Sequence, residues 1–569
     1  MSVRDESSTG ANKSVRRRIA GAAVLTALIP LIAIILVDAL RSEPALDPAS
    51  PVNSLFRTLL LFVAHDGAGA WVWLAVIGAG ALAFILPPPP LPNGSTKYVL
   101  AVIGAVASWL IGLIVFGGYG FSMDEFLPAF QAEIFRNGML MASIPPIAAT
   151  AENNFLPVFG WISEEHGLWA SYYRPVHAAF LALTPSIMGV SLLNAVMTAV
   201  SVIALWDICR RLFPETPGAS LLGVLLFLSS PQVLITAGTG FAFTSHLALN
   251  LIWLALFLKG GVRAHCTAAV IGALAIGLHQ VHVHPLFAAP FLAATLFGII
   301  GRWTDLIPYA VTYSLALPIW ILWPELALYL ETGDAGVLPS SLSDIDYFRD
   351  YLNYAKASDT YEGSITGLLL SVNILRFALW LSPAVLLLAV LALFLPRSHS
   401  ATVWIAAAGV ALMIFACHVL MPNQTQTWGA RYYHPVIGNL IILAVAGYDA
   451  VCRKEIKFGA APVALVVLSM LVLLPMRVVQ VDERIGPRAA LQNYAESLPV
   501  DVVVATNFPT ISLVGLVRND PFLRNRPLII FARSEADIPN VPGEMHILTL
   551  DDLDRAGLPQ GTYLEPGLR

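Results

Sequence analysis

The chain alternates long apolar runs with short polar connectors. Runs of about 17–25 residues are long enough to cross a bilayer as helices. Such runs lie near residues 19–39, 70–87, 98–117, 186–207, 218–236, 242–259, 266–280, 282–300, 305–323, 375–395, 401–421, 435–451 and 459–477, which gives roughly thirteen crossings. The runs from Val176 and from Ser364 exceed what one crossing needs, so each is expected to begin with an interfacial half-helix. Composition agrees with this reading. Of the 569 residues 57% are hydrophobic and 12% charged, against roughly 25% charged in a soluble domain. The fold expected is an all-α polytopic membrane protein.

Basic residues in the short loops set the orientation, because Lys and Arg favour the cytoplasmic side. Arg16–Arg18, Arg210 and Arg211, Lys259 with Arg263, Arg302, Arg397, and Arg453 and Lys454 with Lys457 all fall on one face if thirteen spans alternate. Losing one span would put basic loops outside. The opposite face then receives residues 118–174, the loop from Trp323 to about Glu362, the loop Met421 to Tyr433, and everything after Met476. That face is expected to be the outer, extracytoplasmic one.

The stiff stretch Pro87-Pro-Pro-Pro-Leu-Pro-Asn-Gly separates the second run from the third. It suggests that residues 1–18 are a cytoplasmic tail, 19–97 an added hairpin, and 98–477 the working core. After residue 478 charge and proline rise, and strands are expected at Val502-Val-Val-Ala, Leu528-Ile-Ile-Phe and His546-Ile-Leu-Thr. Residues 478–569 are therefore read as a small α/β domain, with no catalytic motif of their own. The net charge of -5 gives no nucleic-acid signature. Cys209, Cys266, Cys417 and Cys452 form no C-x-x-C pair and suggest neither a disulfide framework nor a zinc site.

Polar residues that interrupt this pattern carry the candidate chemistry. Asp124 and Glu125 sit just beyond the end of an apolar run, where acids are costly and usually functional. Phe126, Phe130, Ile134 and Phe135 follow at helical spacing, so the acids open an amphipathic interfacial helix. They read as a general base aided by a neighbouring acid, or more plainly as first-turn acids favourable to the helix dipole. Arg174 and His177 lie in Tyr173-Arg-Pro-Val-His177, which is either one wall of the same site or an aromatic belt with a snorkelling arginine. His246 opens another run, where a lone histidine is more often a satisfied hydrogen-bonding residue. His279, His282 and His284 crowd one turn. Zinc suits the ligand type, but no acid or cysteine stands beside them, and hydrogen bonding to phosphate or sugar is preferred. Arg431 and Tyr432 begin a late run. Arginine matches phosphate oxygens with paired hydrogen bonds, which makes Arg431 the preferred phosphate ligand. The plainer alternative is an interfacial anchor. Arg376 is a weaker candidate.

In this order the pieces resemble the C-type membrane glycosyltransferases, in the branch of the dolichyl-phosphate-mannose protein mannosyltransferases and the aminoarabinose transferase. The likeness rests on Met123-Asp-Glu-Phe126 through Asn137-Gly138, Tyr173-Arg-Pro-Val-His177, Ser245-His246-Leu247, the turn from Gly277-Leu-His279 to His284-Pro285, and Gly429-Ala-Arg-Tyr432. It covers about residues 98–450. Val176 replaces the usual glycine, and the turn carries histidines where many relatives have arginine or lysine.

The resemblance implies a polyprenyl-phosphate-linked sugar donor and a lipid, polysaccharide or protein acceptor. It implies that Asp124 takes the acceptor's proton, with inversion at the anomeric carbon and the lipid phosphate leaving. Cations at headgroup depth would stabilise that phosphate, so no metal or other cofactor is assigned. An O-antigen polymerase or ligase would lean more on arginines in large outer loops. A transporter would show internal repeats with broken helices, and no such repeat is visible.

Overall fold

The structure is a computed structural model that describes residues 3–41, 58–59, 61–86, 96–156, 158–185, 190–339, 363–395, 399–421, 424, 428–454, 459–508 and 511–557. The proline stretch 87–94, Arg397, Lys457 and the loop residues 340–362 lie outside the described residues.

Among the described residues seven helices are long and apolar enough to cross a bilayer, and three bent pairs raise the number to ten if each is one span. The seven are Arg17–Arg41, Phe62–Leu82, Thr96–Ile114, Ser191–Leu212, Ala401–Leu420, Arg431–Cys452 and Ala461–Ser497. The bent pairs join 219–228 to 231–237 at 61°, 303–321 to 323–332 at 73°, and 367–379 to 383–394 at 112°. The remaining three runs form the helices Phe243–Lys259, Val262–Ile276 and Val283–Leu296. At 1.5 Å per residue these extend only about 21–26 Å, less than a bilayer core. Phe243–Lys259 is buried along most of its length, so protein rather than lipid surrounds it and the length rule for lipid-exposed helices does not bind it.

Two sequence expectations shift. The second span begins at Phe62 rather than near residue 70, which brings His65 and Asp66 into the bundle. The run from Ser364 breaks at Ser382–Pro383, because Pro383 starts a new helix after Ser382 in extended backbone. The run from Val176 does open with a short helix, Val176–Ala182.

Contacts join helix ends that alternation assigns to one face. At one end Arg18 donates to the Phe394 carbonyl, Lys97 pairs with Asp207, and Arg453 pairs with Glu215. At the other end Asp66 lies between Arg376 (2.9 Å) and Arg477 (3.0 Å) and accepts from the Trp380 indole (2.7 Å). The N-terminal hairpin is thus bonded into the bundle by a buried ionic node. All four cysteines are free.

The three strands expected in the tail form one parallel sheet, with Val502–Ala505 between Leu528–Phe531 and Met545–Ile547. Successive strand residues point to opposite faces. Val502, Val504, Leu528 and Ile530 pack with Leu127, Phe130 and Ile134 of the helix Met123–Arg136. Val503, Ala505 and Ile529 pack on the other side with Leu491, Ala495 and Leu553. One face of the tail sheet is therefore seated on the helix that carries Asp124.

Candidate active site

The helix Met123–Arg136 begins at Ser122, whose backbone is extended but whose hydroxyl makes no capping bond. Glu125 instead ties down the residue that precedes the cap position. Its Oε2 accepts from the Phe121 N–H at 2.5 Å, so the carboxylate folds back over the helix start, where the macrodipole favours it. Asp124, one residue earlier, points about 100° away around the helix and faces a different set of partners.

Asp124 is held from two sides. The Tyr173 hydroxyl donates to Oδ1, and Arg431 Nη1 donates to Oδ2 at 2.9 Å. The side chains keep only 14% and 11% of their exposure, so the pair is largely withdrawn from water yet still open at one side. Arg431 Nη2 donates to the Tyr432 hydroxyl at 2.9 Å. Its guanidinium lies 4.7 Å from the Tyr432 ring centre, 5.6 Å from that of Phe241 and 6.0 Å from that of Phe243. An aromatic box of this kind holds a cation without neutralising it.

Gly429 makes this placement feasible. Its φ is +55°, and a Cβ there would lie 1.8 Å from Gln232 Oε1. Only glycine combines the left-handed turn with that close approach. The Gln232 side chain in turn donates to the Trp428 carbonyl, which fixes the segment leading to Arg431.

The two neighbouring carboxyls titrate in opposite directions. Burial pushes Asp124 up, but the charge of Arg431 and the hydrogen bonds from Tyr173 and Arg431 outweigh it and leave its pKa below the ordinary value. Burial pushes Glu125 up to about 7, opposed only in part by Arg518 and the Phe121 N–H. Burial and the adjacent Asp124 raise Tyr173, so its phenol remains a neutral donor.

The other sequence-derived candidates divide into two groups. His279 joins the site: its ring stacks on Tyr173 at 3.9 Å, and burial pushes its pKa down to about 3. His246 is buried, and neither of its ring nitrogens has a hydrogen-bond partner among the described residues. A buried polar side chain without partners calls for an explanation, and a bound polar group would supply one.

Arg174 spends its donors on the carbonyls of Trp320, Ile321 and Tyr172, closing the C-terminal end of the helix Ile307–Ile321. His177 braces the Gly240 carbonyl and Ser245. His284 bonds to Asn250 at 2.8 Å and to Tyr313 at 2.7 Å. His282 stands at the start of the helix Val283–Leu296. The crowded histidine turn therefore disperses, with His279 toward Asp124 and His284 toward Asn250.

Sequence reasoning passed over Tyr173, Phe241 and Phe243 as site components. Tyr173 had a signal, since it directly precedes Arg174 in a quoted motif. It also passed over Arg518, which lies in the tail and donates to the Gly120 carbonyl.

No family model matches the sequence, and no curated protein does. In solved structures the chain is similar to ArnT from Cupriavidus metallidurans bound to undecaprenyl phosphate, at 14% identity and a TM-score of 0.47, over 83% of this chain and 90% of that one. The apo state of ArnT gives 13% identity and a TM-score of 0.43, over 83% and 89%. Arabinofuranosyltransferase AftD from Mycobacteria gives 17% identity and a TM-score of 0.44, over 79% of this chain and 32% of that one. By name AftD is a sugar transferase, as are the proteins that the motifs resemble. These are likenesses at low identity, and the chemistry of this chain is read from its own residues.

Proposed function

We propose that the protein is an inverting glycosyltransferase that moves a sugar from a polyprenyl-phosphate carrier to an acceptor hydroxyl at the outer face of a bacterial plasma membrane. The observation that carries this reading is the contact between Asp124 and Arg431 at 2.9 Å, made across 307 residues at the rim of a helical bundle. A base and a phosphate ligand are the two groups that such a transfer requires. The reading includes thirteen crossings, with residues 98–477 as the catalytic core and 478–569 as an outer α/β domain.

In an inverting displacement the acceptor oxygen attacks the anomeric carbon from the side opposite the leaving phosphate. Base and phosphate ligand must then stand on opposite sides of the sugar. In contact, as they are here, Asp124 and Arg431 leave no room for it. The donor phosphate enters by competing for the Arg431 guanidinium, with the Tyr432 hydroxyl beside it. Its arrival parts the pair and removes the charge that holds the Asp124 pKa down. Asp124 becomes a stronger base only when the donor is in place. The acceptor hydroxyl then gives its proton to Asp124, its oxygen bonds to the anomeric carbon, and the carbon–phosphate oxygen bond breaks. The polyprenyl phosphate leaves with the bonding electrons, its charge met by Arg431. His279, neutral beside Asp124, and His246 are placed to hydrogen-bond the sugar. Glu125 supports the helix start and takes no proton. Arg431 supplies the positive charge, so the reaction is proposed as metal-independent.

The test is Asp124→Asn in cells, with envelope glycans profiled by mass spectrometry. A sugar lost at normal protein level supports the reading and identifies the product. An unchanged profile together with lost uptake of a solute overturns it in favour of transport.

A further inference from the structure

The tail reaches the acid helix and the segments beside it at three points. Arg518 donates to the Gly120 carbonyl, and its guanidinium lies 4.5 Å from the Tyr119 ring centre and 5.8 Å from that of Phe126. Arg524 pairs with Glu133 at 3.0 Å. The Trp169 indole donates to the Pro521 carbonyl at 3.0 Å. Segment 518–524 therefore spans the helix Met123–Arg136 from the loop before it to its third turn.

The Arg518 contact is the one that bears on the base. Ser122 leaves the helix start uncapped, and its buried hydroxyl has no hydrogen-bond partner among the described residues. The start is instead pinned by Glu125 from within and by Arg518 from the tail. Both converge on Gly120. A Cβ at that position would meet Glu125 Cβ at 3.0 Å, Arg518 Nη1 at 3.1 Å and Glu125 Oε2 at 3.2 Å. Glu125 is 2% exposed and also abuts Gly240, whose own Cβ would lie 3.3 Å from Glu125 Cβ. Any slack in the 118–122 loop passes directly to Asp124, which lies in the first turn. Placement of a reacting group by about 1 Å changes rates by up to about a hundredfold.

We propose that Arg518 is a positioning residue for Asp124: from the tail it fixes the Gly120–Phe121 backbone and Glu125, and so sets the aim of the base toward Arg431. This rests on the sugar-transfer reading and adds to it a task for the tail, which carries no chemistry of its own.

The test uses the full chain in membranes with two readouts. One is the envelope product missing in Asp124→Asn, normalised to protein level. The other is affinity for undecaprenyl phosphate by native mass spectrometry of purified protein. Arg518→Met is expected to lower product by about tenfold or more while leaving the affinity within about twofold. Arg518→Lys, which keeps a charged donor, is expected to restore most of the product. Arg524→Met is expected to be near wild type, since its pair with Glu133 is largely exposed. Gly120→Ala perturbs the same contact from the loop side and is expected to give an intermediate loss at unchanged affinity. It carries the test if Arg518→Met does not accumulate. Wild-type product in both Arg518→Met and Gly120→Ala, or loss of product and affinity in parallel, overturns the proposal. Wild-type product in Asp124→Asn overturns the sugar-transfer reading instead.

Discussion

Replacing Arg431 by methionine separates its two tasks, because methionine keeps bulk against Phe241, Phe243 and Tyr432 and removes only the charge and the donors. The first task is binding. A hydrogen bond to a charged group contributes about 1.5–3 kcal/mol, and Arg431 has two donors directed outward, to Asp124 and Tyr432, each at 2.9 Å. At 11% side-chain exposure solvent screens these only in part. Losing one such bond to phosphate weakens polyprenyl-phosphate binding by about ten- to a hundredfold.

The second task is electrostatic. Burial alone raises Asp124, and Arg431 heads the influences that oppose it. Glu125 shows where a buried carboxyl goes with a weaker opponent, since it titrates at about 7. In Arg431→Met the Asp124 pKa therefore moves up from below the ordinary carboxylate range toward neutrality. The sign follows from linkage. A depressed carboxyl stabilises the fold above its unfolded pKa and loses that contribution as pH falls through its folded pKa, so at neutral pH the wild type holds all of it. The variant has lost it.

Native mass spectrometry with undecaprenyl phosphate reads the binding. Product formation in isolated membranes buffered from about pH 5 to pH 8 reads the acid limb. Binding within twofold of wild type together with an unmoved acid limb would refute the assignment of Arg431.

Three further outcomes are expected. Glu125→Gln removes a group whose folded pKa is raised from 4.5 to about 7; wild-type stability declines as pH rises from about 4.5 to 7, by on the order of 3 kcal/mol, and thermal unfolding of the variant should lack that decline. Tyr173→Phe deletes one of the two donors that hold Asp124; product should fall several-fold with the acid limb moved upward, and a normal pH profile would argue against Tyr173 as a partner of the base. Asp66→Asn leaves Arg376 and Arg477, which are 2% and 0% exposed, without their shared carboxylate. Stranding buried charge costs about 3–5 kcal/mol, so the unfolding temperature in detergent should drop by several degrees, and an unchanged value would show that the node contributes nothing.

Much of this was legible in the chain and some was not, for identifiable reasons. Hydrophobic run length located the helices, because burial in lipid acts on every residue of a span. It is blind to direction, so the 112° bend at Ser382–Pro383 passed as one run. Short continuous apolar runs located the tail strands at 502 and 528, which are buried on both faces, and the less buried third strand to within one residue. The meeting of Asp124 with Arg431 followed from their matched depth and motif order. Matched depth could not tell that Arg174 would spend its donors on carbonyls, because an arginine at a membrane rim serves either a helix end or a ligand with the same side chain. Asp66 was missed because hydropathy treats an acid in an apolar run as the edge of that run. Arg518 leaves no local trace at all, as its acceptor is 398 residues away.

That last separation bears on biogenesis. The ribosome finishes the acid helix early and inserts it long before residue 518 has been made, and the sheet that covers it includes residue 547, near the end of the chain. A chain halted between residue 498 and residue 518 would thus have its helices formed but lack both the Arg518 contact and the sheet seated on the acid helix. If the sugar-transfer proposal holds, synthesis of residues 518–547 is the step that completes the working end, and a chain stalled before it would occupy the membrane without consuming lipid carrier.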